Sequence, residues 1–202
     1  METRRVGRHK TTSVFLAFAL LLVGGAAAVY AAQDLFPGGG LMGGPVHPRS
    51  DEGGHGSDSF TVSIPIGGLA PGASTRGRQV VLNTTDGPLR YALSSSTADY
   101  DGKGLRDVVR ITIRTADPSS GPAASCGSFD GATLYSGRLG ATSAGFGDPR
   151  IGGHAGDRVL AAGQREALCF EIEVPLDAGN AFQGAATASI WTIAIEQIAG
   201  KP

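Results

Sequence analysis

The run LCFEIEV at residues 168–174 places Leu168, Phe170, Ile172 and Val174 on one side and Cys169, Glu171 and Glu173 on the other. Successive side chains of an extended backbone point to opposite faces, so this alternation predicts a half-buried β-strand. The same period recurs in both directions along the chain. Downstream, 186–197 (ATASIWTIAIEQ) sets Trp191, Ile193 and Ile195 on one inner face. Upstream, Val109, Ile111 and Ile113 alternate with Arg110, Thr112 and Arg114, giving a strand with a cationic outer face. Order is expected to begin at Ser59, where Phe60, Val62, Ile64 and Ile66 alternate with Thr61, Ser63 and Pro65; Pro65 marks an edge or a strand end. Shorter strands are predicted at 78–83 around Val80 and Leu82, at 89–95 and at 133–137, separated by turns such as Thr85-Asp86-Gly87-Pro88. A helical turn capped by Asp177 is expected over 177–183. Leu69-Ala70-Pro71-Gly72 is echoed by Leu160-Ala161-Ala162-Gly163, which predicts corresponding corners of two strand pairs. The fold expected for 59–198 is all-β, a two-sheet sandwich of jelly-roll or Greek-key type, with 199–202 as a tail.

Composition agrees with that pattern. The 202 residues include 32 Gly and 11 Pro, too many helix breakers for a coiled coil or helical bundle. Residues 1–31 combine a basic start (Arg4, Arg5, Arg8, Lys10), an apolar core from Val14 to Val23 and a small-residue end, the layout of a signal peptide cleaved after Ala31. The alternative is an uncleaved anchor, since 14–32 is apolar and long enough to span a bilayer. Cleavage leaves 13 basic and 17 acidic residues, a net charge of −4. Such a remainder has no electrostatic pull toward nucleic acid, and contact with membrane is expected only through the signal or anchor segment. Residues 32–58 hold eight glycines and three prolines without apolar periodicity and read as a flexible tether. Cys126 and Cys169 both lie in the exported part, where an even pair is most simply a disulfide.

The stretches LAPGASTRGRQVVLNTTDGPLRYALS at 69–94 and LAAGQREALCFEIEVPLDAGNAFQGAATASIWTIAIEQ at 160–197, with the signal peptide before them, resemble the exported TasA/camelysin family. The resemblance implies a jelly-roll sandwich, release by a signal peptidase, and assembly into extracellular matrix fibres through a donated N-terminal strand. Phe60, Val62, Ile64 and Ile66 are then the assembly candidates. It implies a secreted or cell-surface, biofilm-matrix protein acting by self-association or with a matrix or cell-envelope partner. A metal-dependent endopeptidase of the camelysin type is the alternative, and a carbohydrate-binding module the second.

The protease alternative finds little support in the residues. No H-E-x-x-H motif is present, and no G-x-S-x-G elbow accompanies a histidine. His154 with Asp148 and Asp157 is the one weak zinc candidate, so no cofactor and no catalytic residue is expected. Asp99-Tyr100-Asp101-Gly102-Lys103-Gly104 has a faint likeness to a calcium loop but lacks its terminal Glu. Asn83-Thr84-Thr85 matches a glycosylation sequon and equally a turn cap. Arg76, Arg78, Arg90, Arg110 and Arg114 are expected to share one sheet, either as an ordinary solvated face or as a docking surface for an acidic partner. One Trp and four Tyr are few for a sugar-stacking platform, and Trp191 reads as core.

Overall fold

A computed structural model describes residues 55–65, 70–118, 124–142 and 144–198. Nine strands are found among them: β1 (His55–Pro65), β2 (Ser74–Leu82), β3 (Leu89–Ala98), β4 (Arg110–Thr115), β5 (Thr133–Arg138), β6 (Gly145–Phe146), β7 (Arg158–Leu160), β8 (Arg165–Glu173) and β9 (Ala186–Gln197). One sheet has five strands in the order β1-β9-β3-β6, with β7 also paired to β3; the other has four, in the order β2-β8-β4-β5. The chain is thus all-β with two sheets. The signal peptide with Ala31, most of the expected tether, Ile66 and the tail lie outside the described residues.

The alternation in β4, β8 and β9 has its physical consequence in the space between the sheets. Ile111, Ile113, Leu168, Phe170 and Ile172 of the four-stranded sheet face Leu89, Tyr91, Leu93, Trp191 and Ile193 of the five-stranded one, all at 2% exposure or less. Burying each such side chain stabilises the fold by about 1.5–3 kcal/mol. Phe170 and Trp191 meet edge to face across the sandwich, with ring centroids 5.6 Å apart.

Four features depart from the sequence expectations. First, β1 starts at His55, inside the segment expected to be tether. β9 presents twelve residues, and its backbone pairs β1 from His55↔Glu196 to Pro65↔Ala186. Backbone ladders need no apolar side chains, so the Gly/Ser-rich start of β1 is invisible to hydropathy. The register sets Phe60, Val62 and Ile64 opposite Trp191, Ser189 and Thr187. Second, β2 turns the other way: Val81 and Gln79 are buried, while Val80 and Leu82 are half-buried. Three consecutive apolar residues leave the parity of a strand undecided. Third, the expected turn at 177–183 is two short 3-10 turns, Leu176–Ala178 and Asn180–Phe182, and Pro175 rather than Asp177 stands at the first cap, with no side-chain cap bond. Fourth, β6 and β7, two and three residues long, fall below any periodicity.

The two echoing corners are real turns. Gly72 and Gly163 both have left-handed φ, +82° and +68°, and feed β2 and β8, which pair with each other along their whole length. Gly145 is required for another reason. A Cβ there would sit 1.9 Å from the Leu93 carbonyl oxygen, so only glycine lets β6 close on β3.

Candidate functional site

Arginine, alternating with the core residues, dominates the outer face of the four-stranded sheet. Arg76 and Arg78 on β2, Arg165 on β8, Arg110 and Arg114 on β4 and Arg138 on β5 all fall on the side opposite Val81, Leu168, Ile111 and Ile113. Glu171 and Glu173 of β8 are the acidic residues among them. Of the five arginines expected to share a sheet, Arg90 does not. It lies on β3 of the other sheet, where its Nη1 donates to Glu196 Oε2 at 2.8 Å. Arg138 and Arg165 are the members that sequence reading missed.

Part of this face is covered. The segment 124–131 folds over it and is covalently joined by the Cys126–Cys169 disulfide, whose Cα atoms are 5.5 Å apart. Cys169 is fully buried beneath the segment. Phe129, 6% exposed, has its ring between two guanidiniums, with Arg76 4.9 Å and Arg114 5.0 Å from the centroid. Arg76 also donates to Glu171 Oε1 at 2.7 Å and to the Gly127 carbonyl at 3.2 Å. Three arginines of the face, Arg76, Arg78 and Arg114, therefore hold this segment down, Arg78 by donating to the Ala124 carbonyl. An open basin lined by Arg76, Gly77, Arg78, Ser125, Cys126 and Gly127 borders the disulfide.

Asp117 ties the same segment from its other end. Its carboxylate accepts the backbone N–H of Ser128 at 2.9 Å and of Asp130 at 3.2 Å. Burial pushes this carboxyl up, but the amides of Ser128, Asp130 and Phe129 together outweigh burial and hold it below the ordinary value of 3.8. A depressed folded-state pKa contributes stability that is present above the unfolded value and lost as pH falls through the folded one. Amide exchange protection at Ser128 and Asp130, corrected for intrinsic rates, is accordingly expected to fall as pH drops below 3.8, and the dependence is expected to flatten in Asp117→Asn.

The remaining candidates are occupied with structure. Asp157 accepts the backbone N–H of Asp148 at 2.9 Å and of His154 at 2.7 Å, and Asp148 is bound by Arg150, which drives its carboxyl far below the usual range. The His154 ring contacts the Ile151 carbonyl at 3.2 Å. Among the described residues no group of three His, Cys, Asp or Glu is placed to hold a metal ion. Asp99 and Asp101 accept backbone N–H groups of Gly104, Lys103 and Ala186, which closes their loop against β9.

Asn83 is fully buried. Its Nδ2 donates to the carbonyls of Gly87, Leu160 and Ala161, and its Oδ1 accepts from both the backbone N–H and the hydroxyl of Thr85. A glycan has no room there; the residue is a clamp between the β2–β3 turn and the corner after β7. Asn83→Ala is expected to lower stability by about 2–3 kcal/mol, read by urea denaturation, because it strands buried carbonyls without a donor.

A second polar clamp gave no sequence signal. Tyr91 of β3 donates to Glu166 of β8 at 2.5 Å, and Arg158 of β7 binds the same carboxylate through Nε at 3.0 Å and through Nη2. Burial, reinforced by Glu166, pushes the Tyr91 hydroxyl well above the ordinary phenol value, so it remains a donor. This brace ties the two sheets at one end of the sandwich.

No family model and no curated protein matches the chain. Among solved structures, it is similar to PliG, a periplasmic inhibitor of g-type lysozyme, from Aeromonas hydrophila, at 8% identity and a TM-score of 0.29, over 75% of this chain and 96% of that one. The Salmonella Typhimurium PliG is 12% identical with a TM-score of 0.27, over 77% of this chain and 100% of that one. Likeness at this level carries no argument about activity. With no family model matching, TasA/camelysin included, the expected membership of that family is corrected. The self-associating matrix role, its biofilm setting and the endopeptidase and carbohydrate-binding alternatives are corrected with it. The secreted or cell-surface address came with that resemblance and is corrected with it. The physical reason lies in the quoted stretches. Both stretches, the first from 70 onward, are glycine corners feeding alternating strands, which any two-sheet sandwich requires.

Proposed function

We propose that the chain is an exported, disulfide-stapled β-sandwich that acts by binding, with the outer face of its four-stranded sheet as the working surface. The observation that carries this reading is the face itself. Six arginines project from a surface that the core does not need, and half of them are spent on holding one segment across it. Catalysis finds less support, because His154, Asp148, Asp157, Tyr91 and Glu166 are each engaged in bonds that close loops or brace the sheets. The disulfide supports an oxidising compartment beyond the cytoplasm, reached through a signal peptide at 1–31, with 32–54 as the tether before β1. The partner belongs to the cell envelope in this reading. A jelly roll is the finer topology we infer: the strand orders put the first strand beside the ninth, the second beside the eighth and the fourth beside the fifth, as a rolled set of antiparallel pairs would.

Fractionation of the native host with thiol blocking and intact-mass measurement tests this reading. A chain beginning at Ala32, recovered outside the cytoplasm with both cysteines oxidised, is the expected result. A reduced chain beginning at Met1 in the cytoplasm would overturn it.

A further inference from the structure

The arginine face divides into two parts with different duties. Arg76, Arg78 and Arg114 grip the 124–131 segment. Arg110 and Arg138, by contrast, are both exposed and make no ion pair or side-chain hydrogen bond among the described residues. They are direct cross-strand partners on β4 and β5. The Leu139 N–H donates to the Val109 carbonyl at 2.9 Å, so the ladder bond flanks the Arg110–Arg138 pair instead of joining it. That makes it the closely spaced kind of antiparallel pair, with side chains nearest each other. Like charges so placed repel and cost stability. Glu173 is the partner of Arg110 on its other side, yet forms no ion pair with it. One row along, the hydroxyls of Thr112 and Ser136 lie 3.2 Å apart.

We infer that Arg110 and Arg138 form a clamp for a carboxylate on an acidic partner protein, with Thr112 and Ser136 as neighbouring hydrogen-bond groups. The assignment rests on the binding reading above and names its occupant. Charge complementarity supplies the sign of the partner, and two adjacent guanidinium forks match the planar geometry of a carboxylate. The arrangement of acids selects a discrete group over a continuous polyanion. A nucleic acid or anionic lipid surface laid across this sheet would meet Glu173 and Glu171 in the next strand, whereas a single carboxylate seated between Arg110 and Arg138 lies on the side of Arg110 away from Glu173. The repulsion, which Glu173 borders without an ion pair to Arg110, is then relieved by the anion that arrives with the partner.

The test uses the disulfide-bonded chain with hexaglutamate as probe, and inorganic polyphosphate and a DNA duplex as competitors. Hexaglutamate is expected to bind, and Arg110→Ala with Arg138→Ala to weaken it about tenfold or more, while Arg150→Ala in the β6–β7 loop leaves binding unchanged. Arg138→Ala alone is expected to raise Tm by about 1–3 °C as the repulsion is lifted, a gain that accidental damage to the fold would not give. Undiminished hexaglutamate binding in the double variant overturns the clamp, as does tighter, substitution-resistant binding of polyphosphate or DNA, or a fall in Tm for Arg138→Ala. If the chain is oxidised and exported but hexaglutamate does not bind, the clamp fails and the exported-binder reading stands; a reduced cytoplasmic chain ends that reading whatever the peptide does.

Discussion

Trp191→Ala is expected to lower the free energy of unfolding by about 3–5 kcal/mol, the range for removing a buried aromatic side chain and leaving a cavity. Trp191 is fully buried, and its ring spans the gap between the sheets to meet Phe170 edge to face. The loss is therefore one of transfer energy and of a contact that fixes the sheets relative to each other. Far-UV circular dichroism in a urea series measures it, since the variant lacks the chain's one tryptophan. Trp191→Phe sharpens the argument. The indole Nε1 has no hydrogen-bond partner among the described residues, so phenylalanine removes an unpaired buried donor along with some volume. Its cost is expected to be less than half that of alanine. A cost for Trp191→Ala under about 1.5 kcal/mol would mean that the side chain is not the central packing element of the sandwich.

The reason Trp191 was legible from sequence is the reason much of the fold was. In β9 and β8 the apolar positions keep strict alternation for long enough that only one face can be buried, and the polar side is unambiguous. In β2 the run Val80-Val81-Leu82 offers two possible faces, and the choice is made by Gln79 and Asn83, polar residues whose burial becomes intelligible only when their partners are known. Asn83 bonds to Leu160 and Ala161, 77 and 78 residues away, and hydropathy carries no trace of such a link. The start of β1 was hidden for a related cause: its pairing energy lies in backbone groups that every residue has.

The candidate site was half legible. Alternation in β4 placed Arg110 and Arg114 outward correctly, because Ile111 and Ile113 fix the opposite face. Nothing local separates Arg90 from that set; the strand order alone assigns it to the other sheet beside Glu196. Arg138 was missed because β5 has no strong apolar face, only the half-buried Leu134 and Tyr135. The segment that crosses the face forms neither strand nor helix. Its anchoring depends on Phe129, at a left-handed φ of +54° that presents the ring to two arginines from distant strands.

Replacing Cys126 and Cys169 together by alanine is expected to cost about 4 kcal/mol, the chain-entropy value for a bridge closing a loop of this size, the sequence separation being 43. The bridge acts by restricting the unfolded chain, so the native core is expected to change little. Trp191 lies on the five-stranded sheet, and its fluorescence in the folded state is expected to stay at the wild-type value while the denaturation midpoint falls. The covered side of the arginine face is where native-state effects concentrate. Without the bridge, segment 124–131 is held by the Phe129 stack, by Arg76 and Arg78, and by the Asp117 carboxylate. Each cation–π contact contributes about 0.5–2 kcal/mol, so the segment remains docked at neutral pH but opens more often. Asp117 then carries a larger share of the restraint, and acid is expected to release the segment at a higher pH than in the bridged protein. Limited proteolysis against pH reads this opening, and urea titration reads the global loss. Equal stability of the bridged and unbridged proteins would show that side-chain contacts alone fix the segment. A large loss with no change in proteolysis would instead confine the bridge's effect to the unfolded state.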